Sequence, residues 1–297
     1  MTRAFFALFV CTFVSTASAN VLNEWNLIVR HDMASTSEVD GSALIGGNLG
    51  GTSNYAVHGA TALSGDGLAV AGDITGGTIQ VNSGGNLRIG GSVQSGSTVL
   101  LNGGGAQIND PSVSATVSSA FAEVEAISAS LTGLSANGTL DGAGNLSATP
   151  TLLDGQNVAV YNLTNADLQS FGQLNLSIGS ADTVIINVLS SGGLVDFNAP
   201  PNIIGDFNQS NSSRILWNLF DATDVLVNNS FSGALIAPYA DLNLLGGGIN
   251  GSVVVDSFSH AGAEVRGFTY AGYVPEPTSL LLLGVAGVLA ARRRRAA

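Results

Sequence analysis

Lysine is absent from the 297 residues, and all 9 basic residues are arginine. Cysteine occurs once, proline 7 times, and charged residues make up 10%, against roughly 25% in an ordinary globular chain. Each shortage excludes something. Without lysine there is no Gly-x-x-x-x-Gly-Lys phosphate loop. With one cysteine there is neither a disulfide framework nor a cysteine-rich metal site. So few bases leave no counterion-releasing stripe, so nucleic acid is excluded as a partner. The shortage of charge does not signal disorder, because 45% of the residues are hydrophobic and disordered chains lack apolar content.

The arginines are unevenly placed. Arg3 lies near the start, and Arg292, Arg293, Arg294 and Arg295 lie together at the end. The stretch 20–273 keeps only Arg30, Arg88, Arg214 and Arg266 against 20 acids, a net −16. Such a charge keeps a hydrophobic, Gly-rich chain soluble.

Residues 1–19 read as a signal peptide: Arg3, an apolar run from Ala4 to Val14, then small residues. Ala17 and Ala19 place the expected cleavage before Asn20. Cys11 falls inside the apolar run, so the mature chain is expected to be free of cysteine. The other end, 274–297, reads Val274-Pro275-Glu276-Pro277, a short apolar run over 278–291, then Arg292 to Arg295. That run is marginal for a membrane span, and the arginines would hold its end in the cytoplasm. The order of box, helix and arginine cluster resembles the PEP-CTERM sorting signal of Gram-negative bacteria. The resemblance implies recognition by an exosortase-type enzyme and transient anchoring in the inner membrane. It further implies delivery to the cell surface or extracellular matrix.

Between these ends, 20–273 shows no linker-like break and is read as one domain. Its main signal is alternation. Ala43, Ile45, Gly47 and Leu49 alternate, as do Leu68, Val70, Gly72 and Ile74, and again Leu87, Ile89, Gly91 and Val93. Period-two spacing predicts half-buried strands. The offsets between these sets, with Gly-rich corners, predict stacked coils of an irregular β-solenoid; a β-sandwich would also show short alternating strands. Glycine, at 39 residues, suits corners that need positive φ. One segment differs. Pro111 to Leu131 predicts an amphipathic helix, capped by Asp110 or Ser112, with Val113, Val117, Phe121, Val124, Ile127 and Leu131 on one stripe. Its other face, including Glu123 and Glu125, reads as solvated.

Blocks at both ends of this domain carry a second resemblance. Trp25-Asn26-Leu27-Ile28-Val29, Asp40-Gly41 and Ala43-Leu44-Ile45-Gly46-Gly47-Asn48 are similar to the opening of a choice-of-anchor A domain. Leu216 to Thr223, Gly233 to Pro238 and Gly248 to Val253 are similar to its end. The family shares one ectodomain among different surface anchors, a PEP-CTERM tail among them. The resemblance implies an ice-binding-like adhesive fold, a mostly β, irregular β-solenoid with one long α-helix packed alongside. Two positions depart from the family pattern. Arg30-His31-Asp32-Met33 stands where a Gly-Asp is usual, and Tyr239 stands where Asn or Gly is common.

Catalytic signals are sparse. His31, His58 and His260 are scattered and read as surface or corner residues, with no metal-ligand spacing. The dispersed aspartates match no calcium loop, so no cofactor is expected beyond opportunistic Ca²⁺ between corners. No catalytic residue is assigned. The expected function is a non-enzymatic, exported adhesive or structural protein whose partners are extracellular polysaccharide or a surface protein. A carbohydrate-active β-helix enzyme is the first alternative, weakened by the lack of bases to stabilise a carbanion. An ice-binding protein is the second, with Thr149-Pro150-Thr151 as the one Thr-x-Thr along the chain.

Overall fold

Short aliphatic strands followed by glycine-rich corners leave the chain little choice but to pair each pass with the next. Leu27 aligns with Ala43, Ala43 with Leu68, Leu68 with Leu87, and Leu87 with Gln107, all in parallel. The computed structural model describes residues 20–198, 201–260 and 262–275. The protein is mostly β, with sheets of 15, 7 and 4 strands. Two antiparallel pairs occur among the described strands. Gly138–Leu140 folds onto Asn145–Ala148, and Thr151–Leu153 onto Gln156–Thr164.

The passes are not stacked in chain order. After a short helix α1 (Val21–Glu24), Leu27–Val29 lies mid-sheet, between Ala43–Ile45 and Val253–His260. From there the chain steps outward through Asp66–Val70 and Asn86–Ile89 to one end at Gln107–Asn109. Helix α2 (Val113–Thr132) then carries it toward the other end. It steps back through Thr183–Leu189, Ile215–Asn218 and Ala234–Leu244 to Val253–His260. The helix is therefore the return path, about 30 Å of it at 1.5 Å per residue.

Two apolar layers hold this arrangement. Inside the stack, Leu27, Val29, Ile45, Leu68, Val70, Leu87 and Ile89 are buried with Trp217 and Phe231. Beneath α2, Ile28, Leu44, Ala69, Ile185, Leu216 and Val254 are buried against Val113, Val117, Phe121, Val124, Ile127 and Leu131. The strands under the helix are thus covered on both faces. This corrects the half-buried reading of Leu68 and Val70, since all of Asp66–Val70 is buried. Strands covered on both sides read as continuous apolar runs such as Leu27-Ile28-Val29.

Polar ladders fix α2. Asn162, Asn187 and Asn218 align on three successive strands. Asn218 Nδ2 donates to Asn187 Oδ1 at 2.9 Å, and Asn187 Nδ2 to Asn162 Oδ1 at 2.9 Å. The same two amides donate to the Ser128 and Leu131 carbonyls near the helix end. At the start, Asp110 Oδ1 accepts from Ser112 N and Oγ. Ser112 occupies the cap position without a side-chain cap bond of its own. The acidic face is also not simply solvated. Glu125 pairs with Arg30 at 2.5 Å, and Glu123 Oε1 accepts from Val21 N at 3.2 Å. Partial burial raises the Glu123 carboxyl above its ordinary value.

A repeated corner explains one set of glycines. Asp32 Oδ1 accepts from Asn48 N, Asn48 Oδ1 from Asp73 N, and Asp73 Oδ1 from Ser92 N. Each side chain thereby occupies the space beside the next rung's preceding residue. A Cβ on Gly47, Gly72 or Gly91 would collide with Asp32, Asn48 or Asp73 respectively.

Candidate functional site

The sorting residues lie mostly outside the described residues: Ala17, Ala19, Glu276, Pro277 and Arg292 to Arg295. The residues that border them are placed. Asn20 is the N-cap of α1, its side chain accepting from Leu22 N. At the other end Tyr273 N donates to Thr183 Oγ1 at 2.9 Å, and the Tyr270 hydroxyl donates to the Tyr273 carbonyl at 2.7 Å. Val274 packs on the layer under the helix and Pro275 is buried. The apolar run 278–291 also lies outside the described residues. Among the described residues no helix is long and apolar enough to cross a membrane.

The four arginines of the body are held in ion pairs or hydrogen bonds with the fold. Arg30 meets Glu125 and Asp256. Arg88 reaches Asp66 at 2.8 Å and Asp110 at 3.0 Å, which ties two rungs to the start of α2. Arg214 donates to Asn211 Oδ1, and Arg266 pairs with Glu264.

The histidines do not converge. His31 meets Asp256 at 2.9 Å and His58 meets Asp40 at 3.2 Å. His260, expected at a surface or corner, is buried at 3% exposure beside Phe258 and hydrogen-bonded to Ser35 Oγ. Burial lowers its imidazole to about 4. Among the described residues no three His, Cys, Asp or Glu side chains are grouped to hold a metal ion.

Two outward faces carry ordered polar rows. On the 7-stranded sheet, Thr98 aligns with Thr78. The registers Ser53↔Ile79 and Glu38↔Asn54 extend this row to Thr52 and Thr36. Ser35↔Gly51 keeps the same offset on the other side of Thr36. Thr36, Thr52 and Thr98 are exposed and Thr78 half-buried, so four hydroxyls face outward on consecutive rungs, about 4.8 Å apart. Thr78 N donates to Thr52 Oγ1 at 3.2 Å, which locks the alignment. Beside this row run Leu100, Gln80, Asn54, Glu38 and Glu264. Desolvation, with Glu264 on the next rung, raises the Glu38 carboxyl above its ordinary value.

The second face is a shallow groove of about 470 Å³, bordered by Asp32, Asn48, Thr75, Asp241, Asn243 and Ser259. One of its two aspartates, Asp32, already accepts from the Asn48 backbone N–H. The threonine row escapes a reading along the chain because its members are a whole rung apart. The signal is Thr followed two residues later by a polar or apolar surface residue: Thr36-Ser37-Glu38, Thr52-Ser53-Asn54, Thr78-Ile79-Gln80 and Thr98-Val99-Leu100.

The model of an ice-binding-like adhesive domain matches residues 18–267, and that of the PEP-CTERM protein-sorting motif matches 274–295. No curated protein matches the chain. Among solved structures, an ice-binding protein from the Antarctic ascomycete Antarctomyces psychrotrophicus is 14% identical, with a TM-score of 0.36 over 85% of this chain and 97% of that one. An ice-binding protein from an Antarctic bacterium of the Flavobacteriaceae is 10% identical, with a TM-score of 0.32 over 84% of this chain and 80% of that one. By the match over 18–267, the chain belongs to the ice-binding-like adhesive domain family.

Proposed function

We propose that the chain is an exported, non-enzymatic adhesive or structural protein of the cell surface or extracellular matrix. Its body is read as an irregular β-solenoid with α2 packed alongside, and its binding surface as the face bearing Thr36, Thr52, Thr78 and Thr98. The observation that carries this reading is the threonine row itself. Hydroxyls on consecutive rungs, flanked by Gln80, Asn54 and Glu38, offer many weak, equally spaced hydrogen bonds. Such an array suits a polyhydroxyl polymer held by multivalency. The commitment of Arg30, Arg88, Arg214 and Arg266 to partners within the fold speaks against a lyase site built on them.

Export is assigned to the two ends. Cleavage after Ala17-Ser18-Ala19 would leave Asn20, the N-cap of α1, as the first residue of the mature chain. Val274, Pro275, Glu276 and Pro277, with Arg292, Arg293, Arg294 and Arg295, form the signal for an exosortase-type enzyme. Replacing Pro275, Glu276 and Pro277 by alanine should abolish surface display, measured by protease shaving of intact cells. Unchanged display would contradict the sorting assignment.

Binding is tested on immobilised extracellular polysaccharides. Retention without bond cleavage is expected, and released oligosaccharide would overturn the non-enzymatic reading. The threonine row also favours a second reading, ice binding, because regularly spaced hydroxyls can order water. Ice-recrystallisation inhibition by the purified chain, absent in a Thr78→Val/Thr98→Val variant, would select it.

A further inference from the structure

The two ends of the strand stack are built differently. At one end the chain folds back on itself through Gly138–Leu140 and Thr151–Leu153, both antiparallel; these edges are also paired on one side only, but Asp141 and Pro150 lie beside them. At the other, the last rung consists of Ser97–Leu101 and Gln107–Asn109, each paired on one side only, with Gly77–Val81 and Asn86–Ile89. Their opposite sides meet no described strand. Natural edges are usually blunted by charge, proline or a bulge. Gly91 to Asn109 contains no Asp, Glu, Lys, Arg or Pro; Asp110, which ends the rung before Pro111, has its charge paired with Arg88 at 3.0 Å. In a body of net −16, this rung is a neutral patch where two copies can approach without repulsion. Val93, Val99 and Leu101, partly buried on the interior core, lie in this rung, and Leu100 is 42% exposed.

We propose that this open rung is a self-pairing surface whose occupant is the same rung of a second copy of this chain. Strand Ser97–Leu101 adds antiparallel to its counterpart about a two-fold axis, so one patch serves both partners. The unpaired backbone groups of the edge become satisfied, and the half-buried Val93, Val99 and Leu101 are covered. The rung is close to the roughly 20–30 residues a side of a standard interface. Its position gives the contact a direction. Tyr273, which precedes the sorting box, is bonded to Thr183, and Thr183 aligns with Val158 at the closed end of the stack. The open rung therefore points away from the exit of the tail. The dimer itself follows from the edge geometry. Its use as a contact between displayed copies rests on the adhesive reading above.

The test uses the full chain in mild detergent, in a Cys11→Ser background. Sedimentation should show a concentration-dependent dimer, and a Thr98→Glu/Leu100→Glu variant, checked for an unchanged melting profile, should shift the midpoint at least tenfold toward monomer. Independently, Thr98→Cys should be captured as a dimer by a short bis-maleimide, while Thr151→Cys at the closed end should not. A monomer at every concentration, a dimer indifferent to the glutamates, or equal capture at both ends would each overturn the proposal. Oligomers longer than a dimer in sedimentation of the Cys11→Ser chain would contradict the two-fold pairing. None of these outcomes depends on where the protein is displayed.

Discussion

The guanidinium of Arg30 lies 6.0 Å from the ring of Tyr239 and 4.1 Å from the ring of Phe121. Arg30 and Tyr239, remote in sequence, approach each other in space. Tyr239 is exposed where the register of Ala234–Leu244 shifts between Ala237 and Asp241, next to Pro238, which has no N–H for the ladder. Arg30 also holds Glu125 and Asp256, so it pins α2 to the strands. Arg30→Ala should lower stability by about 1–2 kcal/mol, from a partly exposed ion-pair network and a cation–π contact. Arg30→Lys should recover only part of this, because an ammonium cannot stack and fork together. Equal melting temperatures for all three proteins would contradict the pin.

The asparagine ladder predicts a larger effect. Asn187 is 3% exposed and serves Asn162, Asn218 and the Leu131 carbonyl at once. Asn187→Leu should cost about 1–3 kcal/mol, since it removes the bonds to Asn162 and the Leu131 carbonyl and leaves a buried amide hydrogen of Asn218 without its acceptor. Urea denaturation reads this as a lower midpoint at unchanged slope.

The corner glycines make a steric prediction. Gly72→Ala should cost about 2 kcal/mol or more, because its Cβ would meet both Asn48 Oδ1 and the Gly47 carbonyl. Gly76→Ala, where the added carbon meets nothing within 4 Å, should change the melting temperature little. Similar losses at both positions would show that collision is not the reason for glycine at the corner.

Acid should weaken the fold through His260. Burial takes its imidazole from 6.5 to about 4. Between those values the unfolded chain binds the proton and the folded chain does not, so stability falls as pH drops through that window. The whole shift corresponds to about 3 kcal/mol. Asp73, Asp110 and Asp141, whose carboxyls are lowered by hydrogen bonds, lose their contribution only at more acid pH. His260→Gln should flatten the stability profile between about pH 6.5 and 4, as followed by thermal melts. An unchanged slope would contradict the assignment.

Glu38 works in the opposite sense. Its carboxyl is raised by desolvation and by Glu264 on the adjacent strand, so the charged form opposes folding above the unfolded value. Glu38→Gln should stabilise the protein at neutral pH by about 0.5 kcal/mol, the scale of a like-charge cross-strand pair, and should give no gain at pH 3.

The strand positions and the apolar stripe of α2 were legible because period two and period 3.6 are local patterns. The stripe Val113, Val117, Phe121, Val124, Ile127 and Leu131 is the buried face of Val113–Thr132. Burial on both faces of Leu27–Val29 was not legible, since nothing local says that a helix from another part of the chain will lie over it. Nor was the order of the passes, in which Leu27 pairs with Val253. The threonine row was hidden for the same reason. Thr52 and Thr78 become neighbours only when corners of unequal length bring their rungs into register. Glu125 read as solvated because its partner, Arg30, is remote in sequence.

The central claim is that the threonine face is the adhesive surface. The direct measurement is retention of the purified chain on immobilised extracellular polysaccharide, compared with a Thr36→Val/Thr78→Val/Thr98→Val variant of matched stability. The account predicts that retention of the native chain falls at least tenfold in the variant, with no sugar released from the matrix. Equal retention, or retention accompanied by cleavage, would contradict it.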